Sequence, residues 1–204
     1  MARGLTVDQF NLEPEVLEGK HVRLEPLSLA HLPRLVEIGL DGDIFRWSPQ
    51  PVQTPEDMRN FVETALREQL KGTSLPFATV ERHSGLAVGS TRYLNIDRAH
   101  RRAEIGATWI APSWQRTAVN TEAKFLMLRL AFESWGCNRV EFKTDSLNER
   151  SRRAILRIGA KEEGILRNHM VTASGRLRHS VYFSVIREEW PECKAALEAK
   201  LASH

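Results

Sequence analysis

EIGATWIAPSWQRTAVNTEAKFLMLRLAF, residues 104–132, is the stretch from which the fold can be predicted. Its pattern predicts an apolar strand, a tight turn and a long amphipathic helix from about Thr117 to Trp135. The first N–H groups of a helix have no partners within it, and the helix dipole adds partial positive charge at that end. A turn that enters a helix is therefore a place where a chain can bind phosphate, and a diphosphate would fit there.

Length and composition favour one large domain. A chain of 204 residues with 42% apolar residues can bury most of its surface in a single core. We predict an irregular N-terminal arm over residues 1–16 and a single domain over residues 17–204. The 29 basic and 26 acidic residues leave a formal charge of only +3, so we expect no nucleic acid among the partners.

The cysteines and the apolar runs limit the location and the metal chemistry. Cys137 and Cys193 are the only cysteines in the sequence. They are too few for a disulfide framework and lack the CxxC spacing of a zinc site, so we expect a reducing cytoplasm and no metal. The sequence has no run of about 18 apolar residues and no basic-then-apolar signal pattern at its start. We therefore expect a protein that is neither exported nor embedded in a membrane.

Hydrophobic periodicity and turn residues predict the order of the elements. Thr54 followed by Pro55, Glu56 and Asp57 is typical of a helix start, and Gly72 is expected to end that helix. Three consecutive strands without intervening helices imply antiparallel neighbours. The predicted elements are a strand from His21, a helix at 29–40, a loop at 41–51, a helix at 54–72, strands at 76–81, 86–95 and 102–110, the long helix, a strand at 139–145, a helix at 148–158, strands at 161–171 and 178–186, and a last helix from Trp190.

The loop before the long helix resembles a known phosphate-binding motif. Gln115, Ala118 and Asn120 lie on the spacing Gln/Arg-x-x-Gly-x-Gly/Ala, with both small positions altered. In this loop the sequence resembles the GCN5-related N-acetyltransferases (GNAT), and the order of elements matches that family through most of the chain. The resemblance implies an α+β fold with a single mixed, mostly antiparallel sheet that is flanked by helices and splayed at its central strands.

A second motif points to one branch of the family. Asn148-x-x-Ser151 precedes a helix that ends at Gly159-Ala160. This resembles the branch that acetylates the N-termini of ribosomal proteins, with Gly159-Ala160 in place of Gly-Phe. The resemblance gives Ser151 the role of proton donor to the thiolate, and a first-turn helix residue is the alternative. Asn148 would hold the pantetheine amide, cap its helix, or do both.

Acetyl-CoA is the co-substrate that the resemblance implies, with no metal. Its pyrophosphate would lie on the loop before the long helix, for which an ordinary strand-to-helix turn is the alternative. Arg152 and Arg153 could meet the 3′-phosphate, although a solvated helix face is the more common place for such a cluster of charges. The implied cofactor-binding residues are Trp109, Ile110, Gln115, Arg116, Thr117, Ala118, Val119, Asn120, Thr121, Asn148 and Arg153.

Acetyl transfer requires a neutral amine, a donor to the carbonyl oxygen and a proton for the departing thiolate. Glu104, in the strand before the loop, could take the amine proton directly or through water. The alternative is a surface carboxylate paired with Arg101 or Arg102, because a shift of one residue reverses the face of a strand. We expect the donor to the carbonyl oxygen to be a main-chain N–H near Trp109 or Ile110.

The predicted function is transfer of an acetyl group to a primary amine by direct attack in a ternary complex. The acceptor would be a protein or peptide N-terminus or a small amine, and Phe45, Trp47 and Tyr182 are predicted to line its pocket. Tyr182 could equally be packed within its strand. A catalytically weak or inactive CoA-binding module is the alternative, because the loop lacks its glycines and Ile155 stands where many relatives have a tyrosine. The sequence is compatible with a homodimer.

Overall fold

One sheet forms the centre of this computed structural model, which describes residues 10–40 and 43–203. Residues 1–9 of the predicted arm and residues 41–42 of the predicted loop lie outside the described part. The strands are β1 (Leu17–Glu18), β2 (Val22–Pro26), β3 (Leu75–Glu81), β4 (Ala87–Asp97), β5 (Arg102–Ile110), β6 (Arg139–Asp145), β7 (Lys161–Val171) and β8 (Leu177–Ile186). Their order in the sheet is β1-β2-β3-β4-β5-β6-β8-β7.

Helices cover both faces of this sheet. The cap predicted at Thr54 is present: its Oγ1 accepts a hydrogen bond from the main-chain N–H of Asp57, and the Asp57 carboxylate accepts one from the main-chain N–H of Thr54. The helices are α1 (Leu32–Gly39), α2 (Pro55–Leu70), α3 (Ala118–Arg129), α4 (Glu149–Arg157) and α5 (Trp190–Ala202).

The sheet is antiparallel except at its centre, where β5 and β6 run parallel. These two strands pair only over Arg102–Glu104 and Arg139–Glu141. Beyond Glu104, β5 continues to pair with β4, while β6 continues to pair with β8. The two strands therefore diverge, and the predicted α+β fold with a mixed, mostly antiparallel sheet splayed at its central strands is confirmed.

Two apolar cores, one on each face, hold the helices against the sheet. Strand residues alternate between these faces, so Ala103 and Ile105 of β5 belong to the core under α3 and α5. Met58 and Val62 of α2 pack on the opposite face together with Trp109. The alternating direction of side chains along β5 thus determines which of them belong to each core.

Three local features differ from the sequence predictions. The long helix is α-helical only to Arg129 and continues as a π-helix over Leu130–Ser134. The buried Tyr93 hydroxyl donates to the main-chain carbonyl of Met127, close to the residue where α-helical hydrogen bonding gives way to the π-helix. Two residues before the first predicted strand form β1, and Phe10 of the predicted arm is buried against Trp135 with ring centres 5.2 Å apart.

A buried carboxylate of α3 holds the turn between β1 and β2. The Glu122 side chain accepts hydrogen bonds from the main-chain N–H groups of Lys20 (2.8 Å), His21 (2.6 Å) and Val22 (2.8 Å). Gly19 allows this approach, because a Cβ at that position would lie 2.4 Å from the Glu122 carboxyl carbon. Glu122 therefore joins the edge of the sheet to the helix that begins at the predicted phosphate loop.

We predict that Glu122→Ala lowers the free energy of unfolding by about 2–4 kcal/mol, because it leaves three main-chain N–H donors, one buried and two partly buried, without their acceptor. Urea denaturation measures this change. Glu37→Ala is the control, since Glu37 is 66% exposed and its ion pair with Arg34 lies on the surface; this variant should change stability by less than about 0.5 kcal/mol. Equal effects of the two substitutions would contradict the role given to Glu122.

Candidate active site

The site begins where β5 leaves β6. The register of β5 against β4 shifts between Ser90 and Arg92, so that two residues of β5, Ala107 and Thr108, lie opposite one residue of β4. Ala107 takes a positive φ of 45° at this bulge. A bulge bends its strand and increases the local twist. The residues of β5 after Glu104 therefore present an edge that is free of β6 and lines a cleft.

Main-chain groups on this edge of β5 can meet a ligand. The N–H of Ala111 donates to the Val88 carbonyl of β4 at 2.8 Å. Because N–H groups alternate in direction along a strand, the N–H of Trp109 also points to β4 and that of Ile110 points to the cleft. Of the two predicted main-chain donors, Ile110 is thus the one that faces the open edge. The Trp109 ring packs on the other side of the sheet, 5.5 Å from the Phe45 ring.

The loop between β5 and α3 is held by its own side chains. Gln115 donates from Nε2 to the Ile110 carbonyl at 2.9 Å and accepts from Arg150 of α4 at 3.0 Å. Thr117 is the N-cap of α3: its Oγ1 donates to the Trp114 carbonyl at 2.8 Å and accepts from the Val119 N–H at 3.3 Å. The Val119 N–H is therefore already engaged by the cap.

Other N–H groups at the start of α3 are open. Within the described residues, no protein acceptor binds the main-chain N–H of Arg116, Thr117, Ala118 or Asn120. Arg116 carries the positive φ of this loop, 64°, whereas Ala118 does not have a positive φ. The backbone at position 118 therefore does not require a glycine, and an alanine fits there without strain. The open N–H groups and the helix dipole suit a diphosphate.

Two further side chains of the predicted cofactor set lie in the first two turns of α3. Asn120 Oδ1 is buried and has no hydrogen-bond partner in the described part of the chain. Thr121 Oγ1 accepts from Arg157 of α4 at 3.4 Å. The start of α3 and the helix α4 are thus connected at two points, Arg157 to Thr121 and Arg150 to Gln115.

Helix α4 begins beside the same loop. Asn148 is its N-cap, and its side-chain oxygen accepts from the Ser151 N–H at 3.0 Å. The capping role predicted for Asn148 is present, and it leaves the side-chain NH2 group for other partners. Ser151 is half-buried in the first turn, and among the described residues its hydroxyl has no hydrogen-bond partner. Arg153 is exposed on the next turn.

Glu104 lies at the point where the strands separate, on the face opposite α3. It is 2% exposed, and its Oε2 accepts from Lys143 Nζ at 3.1 Å and from Asn95 Nδ2 at 2.8 Å. The expected alternative, an exposed carboxylate paired with Arg101 or Arg102, is therefore wrong. The alternation of β5 places the neighbours of Glu104 in the core and its side chain in a buried polar cluster instead.

The hairpin of β7 and β8 extends this polar face. Tyr182 lies opposite Lys143 in the sheet, with Lys143 Nζ 5.9 Å from its ring centre. It is half-buried and also meets His169 edge-on, with ring centres 5.7 Å apart. Burial raises the pKa of the Tyr182 hydroxyl. Tyr182 is thus part of the face that bears Glu104.

The loop after α1 closes the same side of the cleft. The Ala173 N–H at the hairpin turn donates to the Pro49 carbonyl at 3.0 Å, and the Arg176 guanidinium lies 5.7 Å from the Trp47 ring centre. A cavity of about 260 Å³ lies between this loop and the start of α4, lined by Asp43, Arg46, Trp47, Leu147, Asn148, Glu149 and Arg150. Trp47 therefore faces a cavity, whereas the prediction that Phe45 lines the acceptor pocket is wrong, because Phe45 is buried against Trp109 and Phe61.

A buried lysine on α3 lies under the bulge and has no counterpart in the sequence predictions. Lys124 Nζ donates to Thr91 Oγ1 at 2.8 Å and to Thr108 Oγ1 at 2.6 Å. No carboxylate in the described part of the chain forms an ion pair with it. Burial lowers the pKa of Lys124 to about 7. Sequence reasoning missed it because a lysine in an amphipathic helix normally faces solvent.

Several surface arginines are paired with acids. Arg102 contacts Asp97 at 3.3 Å, and Arg152 contacts Glu149 at 3.0 Å. Within the described residues, no group of three or more His, Cys, Asp or Glu side chains could hold a metal ion. None of the described helices is long and apolar enough to cross a membrane.

We predict that the contribution of Lys124 to the free energy of unfolding rises between pH 7 and pH 10. Its pKa of about 7 in the folded protein lies below the value of 10.5 for a free lysine side chain. Between these values the unfolded chain binds more protons, so each pH unit should add up to about 1.4 kcal/mol to the free energy of unfolding. Urea denaturation of the wild type and Lys124→Met across this range measures the difference, and the methionine variant should lack this increment. Parallel curves for the two proteins would contradict the burial of an uncompensated lysine.

Comparisons with known proteins agree with this architecture. A profile of the acetyltransferase (GNAT) domain matches residues 21–161. A crystal structure of a GCN5-related N-acetyltransferase from Brucella melitensis is 34% identical, with a TM-score of 0.86 over 93% of this chain and 86% of that one. RimJ from Mycobacterium smegmatis, solved in complex with CoA-disulfide, shares the fold with a TM-score of 0.81 at 22% identity, over 93% of this chain and 96% of that one.

A curated relative matches a shorter segment. YdaF from Bacillus subtilis (strain 168), a candidate ribosomal N-acetyltransferase by its name, is 34% identical over 108 residues. That segment is 53% of this chain and 58% of YdaF, so the match spans little more than half of the relative. The family profile matches a longer segment, residues 21–161, which contains β5, β6 and the starts of α3 and α4 that form the cleft. The predicted resemblance is confirmed, and the chain belongs to the GCN5-related N-acetyltransferase (GNAT) family.

Proposed function

We propose that this protein transfers the acetyl group of acetyl-CoA to a primary amine by direct attack in a ternary complex. The observation that carries the proposal is the cleft between β5 and β6 with open N–H groups at the start of α3. In such a cleft the start of α3 can bind a diphosphate, and the free edge of β5 can bind an extended ligand arm that leads to the reacting carbonyl. Two substrates can then meet where the strands separate, without a covalent enzyme intermediate.

The residues present fit acetyl-CoA. Its diphosphate would accept hydrogen bonds from the open N–H groups of Arg116, Thr117, Ala118 and Asn120, and Arg116 adds a positive charge. The pantetheine arm would run along the free edge of β5, where the Ile110 N–H points into the cleft. Asn148 would offer its side-chain NH2 group to that arm. When bound, the thioester supplies the activated acetyl group, and the protein holds it in place.

The acceptor amine would enter from the opposite side. Glu104, Tyr182 and Trp47 face this side, and Glu104 is the group able to accept the amine proton, directly or through water. YdaF is a candidate ribosomal N-acetyltransferase by its name, and this supports a protein as the acceptor. We propose the N-terminus of that protein as the amine. A small amine is the other class of acceptor that this arrangement can take.

A CoA-binding module with weak or no catalysis is the second candidate. Its support is Ala118 in place of the first glycine of the motif and Asn120 in place of its second small residue, together with Ile155 at the position where many relatives carry a tyrosine acid. The two candidates differ in one measurement, the release of CoA thiol from acetyl-CoA across a panel of N-terminal peptides and small amines. Binding of acetyl-CoA without any acceptor-dependent thiol release would favour the module.

A cytoplasmic location and a homodimer remain predictions. Cys137 and Cys193 are free and buried in the described structure, which supports a reducing compartment.

We predict that Arg153→Ala weakens binding of CoA about fivefold and leaves binding of 3′-dephospho-CoA unchanged. An exposed arginine that meets one phosphate contributes about 1 kcal/mol. Isothermal titration calorimetry with both ligands measures the four affinities of wild type and variant. Arg152→Ala is the matched control, because Arg152 is engaged by Glu149 and Glu162 and should not affect either ligand. An equal loss for both ligands would remove Arg153 from the 3′-phosphate site.

We predict that Glu104→Gln lowers the rate of acetyl transfer at pH 7 by at least about 10²-fold, as expected for loss of a general base. The rate is measured by thiol release under saturating acetyl-CoA. Glu141→Gln is the matched control: it lies beside Glu104 on the next strand, but its carboxylate is bound by Arg139 at 2.8 Å. A similar loss in both variants would indicate a structural effect and would contradict a base at Glu104.

A further inference from the structure

We propose that Lys124, acting through the hydroxyl of Thr108, supplies the proton that the departing thiolate takes up during acetyl transfer. The inference rests on the proposed function and assigns it a proton source that neither the sequence motifs nor the comparisons identify. Lys124 is a positioning residue in this scheme, because Thr108 is the group that touches the reacting sulfur.

The geometry forms a continuous path from a buried amine to the cleft. Lys124 is 6% exposed, and its Nζ lies 2.6 Å from Thr108 Oγ1. Thr108 itself is exposed, because it lies on the part of β5 that β6 no longer covers. Its side chain points to the α3 face of the sheet at the bulge. One hydroxyl therefore connects the lysine to the edge along which the pantetheine arm would run.

A second hydroxyl completes the cluster without reaching the cleft. Thr91 is fully buried and lies 2.8 Å from Lys124 Nζ and 2.8 Å from Thr108 Oγ1. It also contacts the sulfur of Met127 at 3.7 Å. Thr91 and Thr108 thus make similar contacts with the lysine, but only Thr108 faces the site. This difference separates a structural role of the cluster from a chemical one.

The ammonium form of Lys124 has no compensating charge nearby. Glu122 lies on the same helix, but its carboxylate is bound to the β1–β2 turn, and Tyr93 on β4 donates to the Met127 carbonyl. Glu104 of β5 lies on the opposite face with Lys143. Other charged groups on the packed helices have partners of their own: Arg129 lies over Phe125, Arg157 binds Thr121, and Glu133 is paired with Lys194 of α5. Burial without an acid makes the lysine ready to lose its proton.

This loss can occur near neutral pH. With its pKa lowered to about 7 by burial, Lys124 is partly protonated at the pH of a cell. A general acid is most effective when its pKa lies near the working pH. Ser151 on α4 offers a hydroxyl that could hydrogen-bond the sulfur, but within the described residues that hydroxyl is linked to no titratable group. Lys124 is thus the titratable group that can supply a proton to the site and be protonated again.

The proton transfer is balanced. As the carbon–sulfur bond breaks, its electron pair stays on sulfur and Thr108 passes its hydroxyl proton to that atom. The Lys124 ammonium gives a proton to the Thr108 oxygen and becomes a neutral amine. The amine then takes a proton from solvent before the next turnover. No oxidant, reductant or metal takes part.

Acetyl transfer measured across pH tests the relay. Deprotonation of the acceptor amine raises the rate with pH, so a fall in kcat above about pH 7 reports an acid that must be protonated. We expect this fall in the wild type and in Thr108→Ser, and its absence in Thr108→Val and Lys124→Met, with kcat at pH 7 about 10²-fold lower in Thr108→Val. Thr91→Val is the control, because it removes the hydroxyl that contacts Lys124 but does not face the cleft. Equal losses in Thr91→Val and Thr108→Val, or no rescue by Thr108→Ser, would overturn the proposal.

NMR of protein labelled with ¹³C at lysine Cε gives a readout apart from activity. Lys124 is titrated alone, with CoA and with desulfo-CoA, which lacks the sulfur. CoA is a thiol at the pH where Lys124 titrates, and a sulfur that accepts a hydrogen bond from Thr108 alters the hydroxyl partner of the lysine. The pKa of Lys124 with CoA should therefore differ from that with desulfo-CoA by at least about 0.5. Thr108→Val should abolish the difference. Identical titrations with the two ligands would overturn the relay alone, whereas absence of any CoA binding would overturn the proposed function as well.

Discussion

The separation of β5 from β6 is the constraint on which the rest of the structure depends. Three residue pairs hold the two strands together up to Glu104, and each strand then follows its other neighbour. The bulge at Ala107 bends β5 away, and the buried contact of Glu104 with Lys143 fixes the point of divergence. A closed sheet would satisfy the main-chain groups of β5 with β6 and leave no edge for a ligand. The divergence leaves the edge of β5 open, and helices α3 and α4 and the loop after α1 surround it.

The two faces of the sheet divide the electrostatics of the site. On the acceptor face, Glu104 is buried with a lysine at hydrogen-bond distance, so charge is compensated inside the protein. On the α3 face, Lys124 has only hydroxyl partners, and its charge is uncompensated. A buried cation without an acid is costly, and such groups concentrate where chemistry uses them. The base proposed at Glu104 and the acid proposed at Lys124 therefore lie on opposite faces of β5.

The sequence could predict the elements but not all of their geometry. The strand, turn and helix of residues 104–132 followed from periodicity, and the cap at Thr54 followed from residue types whose local hydrogen bonds need no tertiary context. The bulge at Ala107 and the π-helix after Arg129 depend on packing against β4 and Tyr93, which periodicity does not report. Lys124 was missed for the same reason. A lysine between Ala123 and Phe125 does not by itself indicate burial. Its position becomes informative only when the structure shows that this part of α3 is buried.

The central claim is that the start of α3 binds the diphosphate of acetyl-CoA through main-chain N–H groups. Amide resonances of ¹⁵N-labelled protein, followed during addition of CoA, test this most directly. We expect downfield proton shifts for Arg116, Thr117, Ala118 and Asn120, the residues whose N–H groups are open, and a smaller change for Val119, whose N–H is held by Thr117. Shifts confined to other parts of the protein, or saturation without any change at these amides, would rule out diphosphate binding at the start of α3.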